Sequence, residues 1–332
     1  MPNFARCMNK KRCLLIINPI SGTGNKRGLD ALVASRLADN GLTVETAWTT
    51  AHGDATRLAR RAAEEGFDSV IAAGGDGTIN EAASALCGSR VKLGIIPCGS
   101  GNGLARHLDI PVDIRASLEI IGRDCPVACD YGSVNGQSFF CTFGVGFDAA
   151  VSDAFARGKH RGLVSYVNNT IRQFVNYNAD EYTIRANGQI ITEQAFLVAV
   201  CNASQYGNNA YIAPRATMTD GLLDITIIHA GNPLSTMLVG VDMLTGYTYR
   251  NALVDTIRVS SATIERKHPG PAHIDGEPVA LGETLEVRCH PGQLWLYTNP
   301  DERPFRPIIT PIASMIREAR YSINRIFHPS LR

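Results

Sequence analysis

The chain has 332 residues, enough for about two domains of ordinary size and for a core that needs no covalent staples. Apolar residues make up 45% and charged residues 19%, which excludes disorder throughout. Basic and acidic side chains number 32 and 31, a formal charge of +1, so no global basic field exists for nucleic acid and none is expected as a partner.

Arg6, Lys10, Lys11 and Arg12 precede a short apolar block, Leu14–Ile17, that runs straight into a turn, so no secretion signal is expected. The longest apolar runs, such as Ala195–Cys201, fall far short of the roughly 20 residues of a membrane-spanning helix. Nine cysteines without a CxxC pair read as small core residues of a reducing compartment, and a cytoplasmic location is expected.

From Lys11 to about Ile110, strand, glycine turn and helix alternate. Leu14–Ile17, Thr43–Trp48, Ser69–Ala73 and Lys92–Ile96 read as strands. Between and after them, helical spacing runs through Leu29–Leu37, Thr56–Glu65, Ile79–Leu86 and Asn102–Leu108. This alternation predicts an open, doubly wound α/β sheet over residues 1–128. After Pro126 short alternating segments take over, among them Gln137–Phe143, Gln189–Val200, Leu223–Ile228 and Leu294–Thr298. Asn135-Gly136, Asn187-Gly188 and Asp275-Gly276 mark tight hairpins between such segments. Residues 129–300 therefore read as a mainly antiparallel β domain, interrupted by helices near Val164–Val175 and Pro233–Tyr247.

Residues 301–332 form a separate tail. From 303 onward it carries six arginines (303, 306, 317, 320, 325 and 332) against Glu318 alone. Ile312, Met315, Ile316, Ala319, Ile323 and Ile326 recur at helical spacing, with Arg317, Arg320 and Arg325 off that stripe. The expectation is a basic amphipathic helix whose apolar stripe packs back on the first domain while its arginines face anionic lipid headgroups.

Three loops follow strands of the first domain: Asn18-Pro19-Ile20-Ser21-Gly22-Thr23-Gly24, Gly74-Gly75-Asp76-Gly77-Thr78-Ile79-Asn80, and Cys98-Gly99-Ser100-Gly101-Asn102-Gly103. The carboxyl ends of parallel strands share one edge, so all three should line one crevice. Glycine lets successive N–H groups turn towards one anion, and the helices that follow aim their N-termini there. GxxxxGK[ST] is absent, and Arg27 stands where GxGxxG would need its third glycine, so dinucleotide oxidoreduction loses its main support. A carboxylate, Asp76, lies among these phosphate-seeking glycines. It would repel the ligand unless a cation such as Mg²⁺ sat between them; the alternative is a helix cap.

GGDGTINE, with NPISG upstream and LGIIPCGSGNGLARHLDIP downstream, resembles the diacylglycerol kinase catalytic domain in its bacterial soluble lipid kinase branch, related to sphingosine and ceramide kinases. The resemblance implies an N-terminal ATP-binding domain facing a β-rich domain, with the lipid hydroxyl entering between them. It implies ATP as phosphate donor, Mg²⁺, and a lipid substrate met at a membrane surface. Peripheral contact at the inner face of the membrane is expected through the tail, and a homodimer is left open. The resemblance places Asn18, Pro19, Ile20, Ser21 and Gly22, then Gly74, Gly75, Asp76, Gly77, Thr78, Ile79 and Asn80, around the triphosphate, with Thr49, Ser100 and Arg106 nearby. Ser100 sits in a GSGNG loop closer to the sphingoid-lipid kinases than to the GTxND of many bacterial members. In the segment Ala213–Asp224 it implies a structural Mg²⁺ held by Thr217, Asp220 and Leu222. His273-Ile274-Asp275-Gly276-Glu277 matches the family's DGE motif, which implies Glu277 as the acceptor of the hydroxyl proton, supported by Asp275 and Asp76. A soluble-substrate kinase of the NAD kinase type, or a non-catalytic lipid-binding protein on the same fold, are the alternatives.

Overall fold

A computed structural model describes residues 11–22, 26–157, 177–301 and 305–327, with side chains described throughout these except at 154–157 and 321–327. The expected helix near Val164–Val175 lies outside the described residues.

The first domain opens with β1 (Lys11–Ile17), α1 (Leu29–Ala38), β2 (Leu42–Trp48), α2 (Asp54–Glu64), β3 (Ser69–Gly74), α3 (Asp76–Leu86) and β4 (Lys92–Pro97). The strands lie parallel in the order β2-β1-β3-β4. The inner strands β1 and β3 carry near-continuous apolar runs, with Cys13–Ile17 and Ser69–Gly74 wholly buried, while the edge strand β2 is polar and largely exposed. The short α4 (Gly103–His107) follows, then α5 (Ile114–Gly122), which the sequence pattern did not announce. Its start is fixed by Asp113, whose side chain accepts from Ala116 N at 2.9 Å.

The second domain is mainly antiparallel. It comprises β5 (Pro126–Val134), β6 (Gln137–Phe139), β7 (Thr142–Gly146), α6 (Phe147–Arg157), β8 (Asp180–Ala186), β9 (Gln189–Cys201), β10 (Leu223–His229), α7 (Pro233–Thr245), β11 (Val254–Val259), β12 (Ser261–Arg266), β13 (Gly270–Ile274), β14 (Glu277–Leu281) and β15 (Thr284–Tyr297). The tail forms α8 (Ile309–Phe327). At the three expected turns, Asn135-Gly136, Asn187-Gly188 and Asp275-Gly276, both central residues have positive φ, the backbone of a tight hairpin whose twist matches its strands. Where one strand was expected over Gln137–Phe143, two occur, and Phe140–Cys141 between them turns its N–H groups to a side chain described below.

The division between domains falls inside two long strands rather than in a linker. β15 pairs along β5, and at Leu296 it also meets Leu93 of β4, so it joins the parallel sheet at its edge. Cys129, Leu294 and Leu296 belong to the first core, while Val134, Val287 and Cys289 belong to the second. The crossing point is the irregularity between His290 and Leu294, where the buried Asp130 carboxylate accepts from Gly292 N (2.7 Å) and Gly221 N (2.6 Å).

The buried Asp130 carboxylate makes two charge-assisted hydrogen bonds here. Asp130→Ala should therefore cost about 3–6 kcal/mol, at about 1.5–3 kcal/mol per hydrogen bond to a charged group. Urea unfolding of wild type and variant measures it, and a loss below about 1 kcal/mol would show that the junction does not depend on this carboxylate.

Candidate active site

The carboxyl ends of β1, β3 and β4 are in register, Ile17 opposite Ala73 and Gly74 opposite Pro97, so the three glycine loops meet on one edge. They are also tied to one another. Asn18 N donates to Ala73 O, Cys98 N to Gly74 O, and Asn18 Nδ2 to Thr78 Oγ1. The glycines are needed because backbone lies on backbone. A Cβ on Gly22, which has φ +65°, would fall 1.9 Å from Cys98 O, and one on Gly99 would fall 2.8 Å from Gly75 Cα. Ser21 turns its hydroxyl back onto Asn18 O, while Pro19 and Ile20 are exposed at the rim of the first loop.

Beneath the first loop lies Lys26, which was not singled out from the sequence. Its ammonium is buried and donates to Asn18 O, Ser21 O and Ser21 Oγ, and burial lowers its pKa. A lone lysine in a glycine-rich stretch carries no spacing signal, so only the folded loop reveals that it sits under the phosphate side.

Asp76 caps a helix that is not its own. Its carboxylate accepts from Asn102 N (2.9 Å) and Gly103 N (2.7 Å), which orients α4 and the third loop. Asn102 takes the left-handed conformation there (φ 50°) and closes its side-chain amide on Gly99 N and Gly99 O. Each oxygen thus receives one amide, the capping role that the sequence offered beside the metal role. Ile79 turns its side chain into the core, and its N–H donates to Gly75 O. Gly77 and Thr78, just before it, lie in the first turn of α3.

Thr49 is buried at the end of β2, with its N–H on Ile17 O, and Ser100 is exposed on the third loop. Arg106 does not face the cleft. Its Nε donates to Gly101 O at 2.7 Å and its Nη atoms engage Glu318 of the tail, so its guanidinium supports the third loop from behind.

The second domain reaches over these loops through the turn between β13 and β14. Asp275 is half-buried, and its carboxylate accepts from Phe140 N (2.8 Å), Cys141 N (2.7 Å), Thr142 N (2.9 Å) and Asn80 Nδ2 (3.1 Å). Burial pushes its pKa up to about 6, against the pull of the three amides. With all four donors in place it clamps α3 to the second domain, Asn80 supplying the link from α3. Glu277 is the opposite case. Its carboxylate is exposed, has no hydrogen-bond or ion-pair partner among the described residues, and lies over Gly77, where an added Cβ would meet Oε1 at 3.2 Å. A cleft of about 210 Å³ opens beside it, lined by Gly77, Asn80, Ser84, Gln137, Ile274 and Glu277.

Three further residues hold this turn, and two of them, Asp148 and Tyr206, were hidden by sequence separation. His273 accepts Gly276 N at Nδ1 (3.3 Å), and its Nε2 meets Asp148 Oδ2 (3.0 Å), which also accepts from Tyr206 OH (2.8 Å). A Cβ on Gly144 would collide with both Asp148 and His273, so that strand glycine makes room for them. Behind the third loop His107 accepts Ser204 N at Nδ1, and burial lowers its pKa to about 4, which keeps it neutral.

At the turn where the resemblance implies a structural Mg²⁺, the one carboxylate is engaged by protein donors. Thr217, Asp220 and Leu222 share this turn, where Asp220 Oδ1 accepts from Leu222 N and Oδ2 from Arg258, while Thr217 Oγ1 pairs with Thr219 Oγ1. Arg258 Nε also faces Asp224 at 3.3 Å. A guanidinium thus supplies positive charge beside both acids, where a hard cation would otherwise bring it. Magnesium without nucleotide should therefore leave the melting temperature unchanged, whereas Arg258→Ala should lower it by leaving Asp220 and Asp224 side by side. A rise of several degrees on adding Mg²⁺ to the wild type alone would contradict this assignment.

Residues 12–134 match the diacylglycerol kinase catalytic domain, and residues 141–298 match the YegS C-terminal NAD kinase beta sandwich-like domain. A protein of Yersinia enterocolitica named as a YegS-like lipid kinase is 30% identical, over 87% of this chain and 97% of its own length. A diacylglycerol kinase of Bacillus subtilis is 29% identical, over 84% and 95%. A crystal structure described as a diacylglycerol kinase of Bacillus anthracis superposes with a TM-score of 0.72 at 25% identity, covering 88% of this chain and 98% of that one. With interlocked glycine loops in the first domain and a DGE turn reaching over them from the second, the chain belongs to the bacterial, YegS-like branch of the diacylglycerol kinase catalytic-domain family.

Proposed function

We propose that the protein is an ATP-dependent lipid kinase that transfers the γ-phosphate of MgATP to the hydroxyl of a diacylglycerol-type or sphingoid-type lipid. The observation that carries this reading is Glu277: an unpartnered carboxylate hung over the N-terminus of α3, where three glycine loops converge. The triphosphate lies against backbone amides of Asn18–Gly22 and Gly74–Thr78, with the buried charge of Lys26 behind the first loop. Magnesium enters with the nucleotide, as part of the substrate.

The lipid hydroxyl approaches through the cleft between α3 and β14. As its oxygen bonds to the γ-phosphorus, its proton passes to Glu277, the bond from phosphorus to the β–γ bridging oxygen breaks, and ADP leaves. Asp275 and the His273–Asp148 pair keep the turn in place while this happens, and Asp76 keeps the third loop in place. The description of the C-terminal domain as NAD kinase-like supports one other acceptor, a soluble dinucleotide, which the same chemistry would serve.

Glu277→Gln keeps shape and removes basicity at an exposed position. It should lower kcat by about 10²-fold or more while leaving the KM for ATP and the melting temperature as in the wild type. Steady-state kinetics with a lipid acceptor reads this out. Turnover preserved at saturation, with weakened ATP binding, would make Glu277 a nucleotide contact instead.

A further inference from the structure

The tail helix α8 is mounted the other way round from the sequence expectation. Its polar side faces inward: Ser314 is buried, Glu318 engages Arg106, and Arg317 Nη1 lies 2.7 Å from Asp109 Oδ1. Its outer side carries Ile309, Ile312, Met315 and Ile316. α7 repeats the arrangement, with Thr236 and Val239 buried and Leu234, Met237, Leu238, Val241 and Leu244 outside. The two stripes meet end to end, where Ile308 N donates to Thr245 O at 2.7 Å and the Phe305 ring covers Gly246.

These outer side chains, with Ile308, are 44% to 65% exposed, and they are ten of the fourteen large apolar residues left exposed among those described. Scattered exposed apolar residues need no explanation, but a gathered patch marks a surface made to be covered. Its rim is basic. Arg250, Arg306 and Arg320 are exposed and have no carboxylate partner among the described residues. The two acids of these segments, Asp242 and Glu318, are turned to Asn251 and Arg106.

We propose that α7 and α8 together form a docking face for an anionic lipid bilayer, the apolar stripes entering the boundary between headgroups and acyl chains and the arginines meeting headgroup phosphates. Charge selects this occupant over a second copy of the chain. Two-fold self-association sets a patch against itself, which would bring the same arginines together with no acid to receive them. Anionic headgroups complement them.

The test is sedimentation, without ATP, with vesicles of phosphatidylcholine alone and of phosphatidylcholine mixed with phosphatidylglycerol, so that its failure leaves the phosphotransfer reading untouched. Leu238→Glu combined with Ile312→Glu alters two exposed positions, and thermal melting checks that the fold is kept. The wild type should pellet with the anionic vesicles, less so at high salt, and the glutamate pair should weaken partitioning about tenfold or more. Arg306→Gln with Arg320→Gln should bring binding to anionic vesicles about tenfold down, towards the level on neutral ones. Three results would overturn the proposal: no partitioning of the wild type, equal partitioning of the variants, or a wild-type dimer in solution that the glutamate pair dissociates.

Discussion

Backbone-on-backbone contact between glycine loops is the constraint on which the rest of this structure depends. Gly22 lies against the carbonyl of Cys98, and Gly99 lies against Gly75, at distances no side chain could share. Contact this close holds three strand ends as one surface of N–H groups, which is what an anion with several oxygens requires. The polar groups around the loops serve that contact. Asp76 fastens the second loop to the third, Lys26 fills the space under the first, and Arg106 braces Gly101 from behind.

Two carboxylates do the equivalent work between domains. Asp275 collects three amides of the β6–β7 break and the side chain of Asn80, and Asp130 collects the amides of Gly221 and Gly292. Both are satisfied by N–H groups rather than by cations, so each fixes geometry without an ion pair whose desolvation would offset its gain. Glu277, two residues after Asp275, has no partner among the described residues. A fully engaged acid beside a free one on the same turn separates a positioning group from a group able to take a proton.

Local chemistry was legible in the sequence and distant partners were not. The strand–glycine–helix alternation, the three loops and the Asn-Gly and Asp-Gly hairpins are short-range signals, and each appears in the fold. Asp76, Asp275, Asp220 and Arg106 were readable as functional residue types, yet their roles depend on groups 26, 135, 38 and 212 positions away. An acid in a glycine loop looks the same whether it awaits a metal or caps another helix. The tail shows the same limit. Helical spacing gave its amphipathic pattern, but which side faces inward was decided by Arg106 and Asp109, which offered ion pairs to Glu318 and Arg317 where an apolar groove had been expected. The domain boundary was equally hidden, because β15 carries one continuous pattern through both cores.

The proposed cleft and the proposed docking face belong to one account, in which an enzyme without a spanning helix among its described residues works on a hydroxyl held in a bilayer. The most direct measurement is transfer of labelled γ-phosphate from ATP to vesicles carrying diacylglycerol, sphingosine, ceramide or phosphatidylglycerol, run beside NAD as a soluble acceptor. The account predicts label in at least one lipid, dependent on Glu277, and none in NAD. Label in NAD alone, or in no acceptor, would contradict it.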